Sequence, residues 1–234
     1  MESKNYVIVG GSSGIGLAIV KELVERGANV VVISRSAETL QSLSGVTHIV
    51  ADITQEDLSA SQLPEIIHGL VYCPGSINLK QFHSLKIKDF QHDFDLNVLG
   101  AVRVLQMSRR ALRKAGEASV VLFSTVAVGQ GMPFHSSIAI AKGAVEGLTR
   151  SLAAEWAPKI RVNCIAPSLT NTPMAAPLLS SSEREKAAAQ RHPLRRIGQP
   201  EDIAGLAVFL LSSQGKWMSG QVVGMDGGLS QLRV

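Results

Sequence analysis

Near the N-terminus the apolar run Tyr6–Val9 opens into Val9-Gly10-Gly11-Ser12-Ser13-Gly14-Ile15-Gly16 and then into residues at helical spacing, Leu17 to Arg26, stopped by Gly27. A strand, a glycine turn and a helix in this order narrow the possible folds sharply. Glycines there permit a tight turn and let the backbone approach a pyrophosphate at the helix N-terminus. A glycine turn can also merely join a strand to a helix. Here a second β-branched run begins near residue 30, as a dinucleotide-binding βαβ unit requires.

The rest of the chain repeats the alternation. Further strands are expected at Val30–Ile33, His48–Ala51, Leu70–Cys73, Ser119–Phe123, Ile160–Ile165 and Gln221–Met225. Helices are expected at Asp89–Ala115, Ser137–Ala157 (stopped by Pro158) and Glu201–Leu211, with a weakly helical stretch near Leu58–Ile67 and a long excursion from Pro167 to Gln199. Strands that are apolar without polar alternation are covered on both faces, which predicts a seven-stranded, mostly parallel sheet flanked by helices. No linker, repeat or low-complexity tract interrupts residues 1–234, so one doubly wound α/β (Rossmann) domain is expected.

Composition excludes several function classes. The chain has 234 residues, 45% hydrophobic and 18% charged, enough for a packed core. No apolar run reaches the roughly 18 residues a membrane helix needs, and the N-terminus lacks the apolar stretch of a signal peptide. Cys73 and Cys164 are too few for a disulfide framework or a metal site, so a reduced, cytoplasmic protein without a metal is expected. The net charge of +4 is modest, and neither basic group (Arg109 to Lys114, Arg191 to Arg196) interleaves with aromatics. Nucleic-acid binding is therefore not expected.

The second strand ends Val32-Ile33-Ser34-Arg35-Ser36. A site for NAD wants an acid there to hold the ribose hydroxyls, whereas a 2′-phosphate wants a cation. Arg35 offers a fork of donors, and Ser34 and Ser36 add hydroxyls, so NADP(H) is expected over NAD(H). The alternative is that Arg35 is a solvated loop residue.

With these features in place, the chain resembles the short-chain dehydrogenase/reductase family nearly end to end, and its 3-oxoacyl-carrier-protein-reductase-like members in particular. The glycine loop, Asp95-Leu96-Asn97-Val98, Lys142-Gly143-Ala144-Val145-Glu146-Gly147-Leu148, Arg161-Val162-Asn163, Arg196-Ile197-Gly198-Gln199-Pro200-Glu201-Asp202-Ile203-Ala204 and Asp226-Gly227-Gly228 carry the resemblance. It implies that Gly11, Ser13, Gly14, Ile15 and Gly16 hold the dinucleotide phosphates and that Asp52 and Ile53 meet the adenine. It also implies that Cys73 and Gly75 lie beside the dinucleotide, and that Pro167, Leu169, Thr170 and Thr172 contact the nicotinamide amide and phosphates. Asn97 looks like the residue that holds a water in the family's proton relay, and Lys142 like the one that bonds the nicotinamide ribose.

The departures are at the chemistry. The family places a Tyr four residues before the active-site Lys, and here that position is Ile138. The partner serine position falls on Thr125, beside Ser124. The family's Asn-Asn-Ala-Gly reads Tyr72-Cys73-Pro74-Gly75, and its Pro-Gly reads Pro167-Ser168. Tyr6 and Tyr72, the chain's two tyrosines, are expected too far away or wrongly placed to substitute. His135 is a second candidate proton donor, or else a hydrogen-bonded loop residue.

Two functions follow. One is an NADP(H)-dependent oxidoreductase acting on a carbonyl, hydroxyl or activated double bond of a small molecule, with Lys142 or a water held by Asn97 and Lys142 supplying the proton and Thr125 orienting the oxygen. The other is a dinucleotide-binding pseudoenzyme. The resemblance further implies a substrate lid at about 172–196 and a homo-oligomer, tetramer or dimer. Trp217 and Met218 are read as a late packing or subunit contact.

Overall fold

The computed structural model describes residues 1–55 and 58–233. Seven strands are present: β1 (Asn5–Val9), β2 (Asn29–Ser34), β3 (Val46–Val50), β4 (Gly69–Tyr72), β5 (Ala118–Phe123), β6 (Ile160–Pro167) and β7 (Val222–Met225). All pairings are parallel, in the order β3-β2-β1-β4-β5-β6-β7. The direction of winding reverses between β1 and β4, which opens a crevice at the carboxyl ends of the strands.

Helices cover both faces: α1 (Gly14–Glu25), α2 (Ile87–Phe94), α3 (Gly100–Lys114), the short α4 (Ala127–Gln130), α5 (Ser136–Trp156), α6 (Ser182–Gln190) and α7 (Pro200–Leu211). One buried layer lies against α3 and α5, with Leu70, Val104, Leu105, Leu112, Leu122 and Val145 among its residues. The other lies against α1 and α7, with Ile8, Ile19, Leu23, Val121, Ile203 and Leu210. Central β4 and β5 are buried at every position, as expected of strands covered on both sides. The two edge strands are the exceptions: no position of β3 or β7 is fully buried, and Val50 of β3 is exposed. No helix of the described residues is long and apolar enough to cross a membrane.

Several sequence expectations are corrected. The first helix begins at Gly14, inside the glycine turn, and not at Leu17. β3 runs from Val46 to Val50, because Ala51 already turns toward the loop; Cys73 likewise follows β4. The stretch near Leu58–Ile67 contains only a 3₁₀ turn at Ala60–Gln62, capped by the Ser59 hydroxyl. Its apolar residues are too sparse to bury a helix face. The expected single helix Asp89–Ala115 is α2 and α3 joined by a π turn, Asp95–Leu99, in which the Gly100 amide donates to Asp95 O, five residues back. Such turns re-aim side chains and cluster at functional sites. The excursion after β6 holds a 3₁₀ segment (Pro173–Leu179) and α6.

Candidate active site

The glycine turn sits at the carboxyl end of β1. Gly14 has φ +51, a conformation that L side chains rarely adopt, and a Cβ there would stand 3.2 Å from Thr172. A Cβ on Gly16 would collide with the carbonyl of Gly10. The turn therefore keeps a bare backbone surface at the start of α1, with Ser13 at its N-cap position and Ile15 in the first turn. That is the form a pyrophosphate needs. Gly10 makes the turn itself, its amide donating to Ile33 O at 2.8 Å.

At the ends of β2 and β3, Arg35 and Ser36 are exposed, and Arg35 makes no salt bridge among the described residues. Asp52 is close enough for the two charges to interact. Its Oδ1 accepts from the Thr54 amide (2.9 Å) and hydroxyl (2.8 Å). These bonds hold its carboxyl below the usual carboxylate range, the amide acting most strongly and Arg35 adding to them. Ile53 is buried behind this turn, and Arg103 of α3 donates to the carbonyls of Ile53 and Thr54. The buried Ser34 hydroxyl donates to Ser36 O (2.8 Å) and lies 2.9 Å from His48 Nε2. His48 was invisible to sequence reasoning because its partner lies on the neighbouring strand.

At the ends of β4 and β5 a buried polar group assembles. Lys142, on α5, is 7% exposed and donates from Nζ to Phe123 O at 2.9 Å. A Cβ built on Gly75 would stand 3.3 Å from Asn97 Oδ1 and 3.4 Å from Lys142 Nζ, so the three meet at one point. Burial pulls the Lys142 pKa down from its ordinary value to about 8, opposed by the nearby Cys164, Cys73 and Asp93. Both thiols are pushed up to about 12 by burial, which makes them neutral packing groups. Ile138 is buried on the same helix, one turn before Lys142. Asn97 stands in the π turn, and its Nδ2 donates to Asp93 O (2.7 Å) and Ser76 Oγ (3.2 Å). Asp93 and Ser76 are functional candidates that the sequence did not single out; a lone Asp in an amphipathic helix gives no signal of burial.

Thr125 ends β5's loop, and its Oγ1 accepts from the Ala127 amide at 3.3 Å, which fixes the hydroxyl at the start of α4. A hydroxyl so held retains its donor hydrogen for another oxygen. Ser124 points away, donating to Glu146 Oε1 at 2.8 Å. Tyr72 O–H donates to Leu96 O at 2.6 Å beneath the π turn, and Tyr6 is buried at the opposite end of the sheet. His135 is half-buried and its Nδ1 lies 2.7 Å from Pro133 O, the hydrogen-bonded loop arrangement.

After β6, Pro167 O accepts from the Val126 amide, tying this segment to the Thr125 loop. Thr170 is buried, and its hydroxyl donates to Ser168 O. Leu169 O accepts from the Gly198 amide, and Thr172 caps the 3₁₀ segment while facing Gly14. Ser168 is paired with the buried His192 (2.9 Å to Nε2), whose Nδ1 meets Ala188 O at 2.9 Å. Trp217 is 97% exposed, so it is no packing residue; Met218 packs partly against the α1–α7 layer. Among the described residues no group of His, Cys, Asp or Glu is placed to hold a metal ion.

Residues 9–230 match the family model described as Enoyl-(Acyl carrier protein) reductase. The chain is 31% identical to a tropinone reductase homolog of Arabidopsis thaliana, over 98% of this chain and 94% of the relative. It is 32% identical to a 3-oxoacyl-[acyl-carrier-protein] reductase of Thermotoga maritima, covering 98% of each. A short-chain type dehydrogenase/reductase from Mycobacterium ulcerans superposes with TM-score 0.91 at 31% identity, covering 100% of this chain and 92% of that one. ElxO with NADP bound superposes with TM-score 0.89 at 25% identity, covering 97% and 98%. A seven-stranded parallel sheet with a glycine turn at its crevice, in a chain so related, defines an oxidoreductase class that works with a nicotinamide cofactor. The chain belongs to the short-chain dehydrogenase/reductase family.

Proposed function

We propose that the chain is an NADP(H)-dependent oxidoreductase acting on a small molecule with a carbonyl, hydroxyl or activated double bond, in which Ile138 replaces the family's Tyr and Lys142 serves the proton. The observation that carries this reading is the buried Lys142 ammonium beside Asn97 and Gly75, at a point where neither tyrosine can reach.

The dinucleotide would lie on Gly11, Ser13, Gly14, Ile15 and Gly16, with Arg35 and Ser36 on a 2′-phosphate and Asp52 and Ile53 at the adenine. Cys73, Gly75, Lys142, Pro167, Leu169, Thr170 and Thr172 would line its nicotinamide half. NADP bound in ElxO supports the choice of cofactor, and the exposed Arg35, which makes no salt bridge among the described residues, supports it independently. When bound, a reduced nicotinamide supplies hydride. Thr125 Oγ–H then orients the substrate oxygen, Lys142 gives it a proton, and Asn97 holds the water through which the ammonium is restored. A pKa near neutrality suits Lys142 to that exchange. The relatives' printed activities, reduction and dehydrogenation, favour chemistry over a pseudoenzyme.

The same reading takes the chain as one dinucleotide-binding domain with a substrate lid at 172–196. It takes the protein as a cytoplasmic homo-oligomer, and gives the exposed Trp217 to a subunit contact. The test is a titration with NADPH and NADH followed by nicotinamide fluorescence, then turnover of carbonyl and enone substrates. Tight NADPH binding with turnover is expected. Failure to bind either nucleotide would refute the proposal.

A further inference from the structure

The carboxylate of Asp93 is the ionisable group at this site that the proposed function leaves without a task. It lies near the end of α2, a helix packed against α5 and the π turn, and is 0% exposed. Its Oδ1 accepts from the Ser76 hydroxyl at 2.6 Å; its Oδ2 has no protein hydrogen-bond partner among the described residues. The Ser76 oxygen accepts in turn from Asn97 Nδ2. Asn97 gives both donors of Nδ2 to Ser76 and Asp93 O; its Oδ1 also has no protein partner among the described residues, and it lies with Lys142 Nζ beside Gly75. A carboxylate buried with one oxygen unsatisfied is costly unless a nearby charge compensates it. The groups that face Lys142 and Asp93 from the surrounding elements are few. Cys73 after β4 and Cys164 on β6 are neutral thiols, and Glu146, further along α5, is turned toward Ser124 and Arg150. Asp93 is thus the anion left to oppose the desolvation of Lys142, and it acts in that direction.

We propose that Asp93 is a positioning residue for the proton donor: with Ser76 and Asn97 it forms the anionic end of a buried relay, and its charge keeps Lys142 an ammonium at neutral pH. This rests on the proposed role of Lys142. In the reductive direction an Nζ–H bond breaks as the O–H bond of the product forms, while the electron pair reaches the carbonyl carbon as hydride from reduced dinucleotide, which is oxidised. A solvent proton then restores the ammonium, so the site returns to its starting charge. The device fits the departure at Ile138: without a phenol, the ammonium itself must be held charged against burial.

The test uses the full chain with no ligand, labelled with ¹³C and ¹⁵N in Lys and Asp. Lys142 Cε and Asp93 Cγ signals are followed by NMR from pH 6 to 10, with Lys142→Met and Asp93→Asn for assignment. A nearby opposite charge favours the charged form of an amine. Asp93→Asn is therefore expected to lower the Lys142 midpoint, and with it the ammonium fraction at pH 8. An unchanged midpoint overturns the proposal. If Asp93→Asn does not fold, the wild type decides: the Asp93 carboxyl signal should move through the Lys142 titration, and a flat signal overturns the proposal. Neither readout involves dinucleotide or substrate. A chain that binds no nucleotide but shows this coupling would refute the function and leave the charge pair standing.

Discussion

Replacing Lys142 with Met should change how the stability of the fold depends on pH. The folded chain holds this amine about 2.5 below its ordinary value of 10.5, at about 8, through burial. That gap corresponds to about 3 kcal/mol of destabilisation at neutral pH. The unfolded chain binds the proton up to about 10.5 and the folded chain only up to about 8, so wild-type stability gains as pH rises through that window. Methionine cannot titrate, so the variant lacks this gain. Between pH 7 and 9.5 the wild type should gain about 2 kcal/mol relative to Lys142→Met, whatever the offset from the lost bond to Phe123 O. Cys73, Cys164 and Tyr72, which burial pushes up, deprotonate in both unfolded chains and largely cancel in the comparison. Urea unfolding of both proteins at half-unit steps of pH measures it. Stability curves that run parallel across the window would show that Lys142 titrates normally and is not desolvated as argued.

Other outcomes follow from the same geometry. Gly16→Ala should abolish dinucleotide binding, read by fluorescence titration, because its Cβ would drive into Gly10 O and displace the turn. Arg35→Ala should weaken NADPH binding by roughly 10–100-fold while leaving NADH unchanged, since a charge-assisted bond to phosphate is worth about 1.5–3 kcal/mol. Ile138→Tyr places a phenol one turn from Lys142; steady-state assay should show carbonyl reduction at a rate at least equal to wild type, and loss of an existing activity would instead show that Ile138 shapes the substrate pocket. Tyr72→Phe removes the partly buried bond to Leu96 O and should cost about 0.5–1.5 kcal/mol in a urea melt, the usual net worth of such a bond.

The sheet was readable because its signals are local. Runs such as Val30–Ile33 and Val120–Phe123 are apolar at every position, and Gly27 and Pro158 mark helix ends within a few residues. The edge position of β3 was not, since edge and centre differ by neighbours and not by the run itself. Within the site, Gly14, Asn97 and Lys142 could be placed by family register. The commitments of Ser34 to His48, of Ser168 to His192, and of Asp93 to Ser76 could not, because each joins residues 14 or more positions apart. The π turn was equally hidden: its residues, Asp95–Leu99, fit a helical pattern that differs from an α-helix only in which carbonyl each amide finds.

That turn has a consequence for how the chain can vary. The Tyr72 hydroxyl fills the space over Gly100 and holds the Leu96 carbonyl at the same time, so a side chain at position 100 would collide with the phenol. The two positions are therefore epistatic. A smaller residue at 72 would free position 100 to carry a methyl group, whereas any change at 100 alone meets a blocked path. Substitution at the end of this strand must come before substitution on the helix, which gives the pair an order of descent as well as a shape.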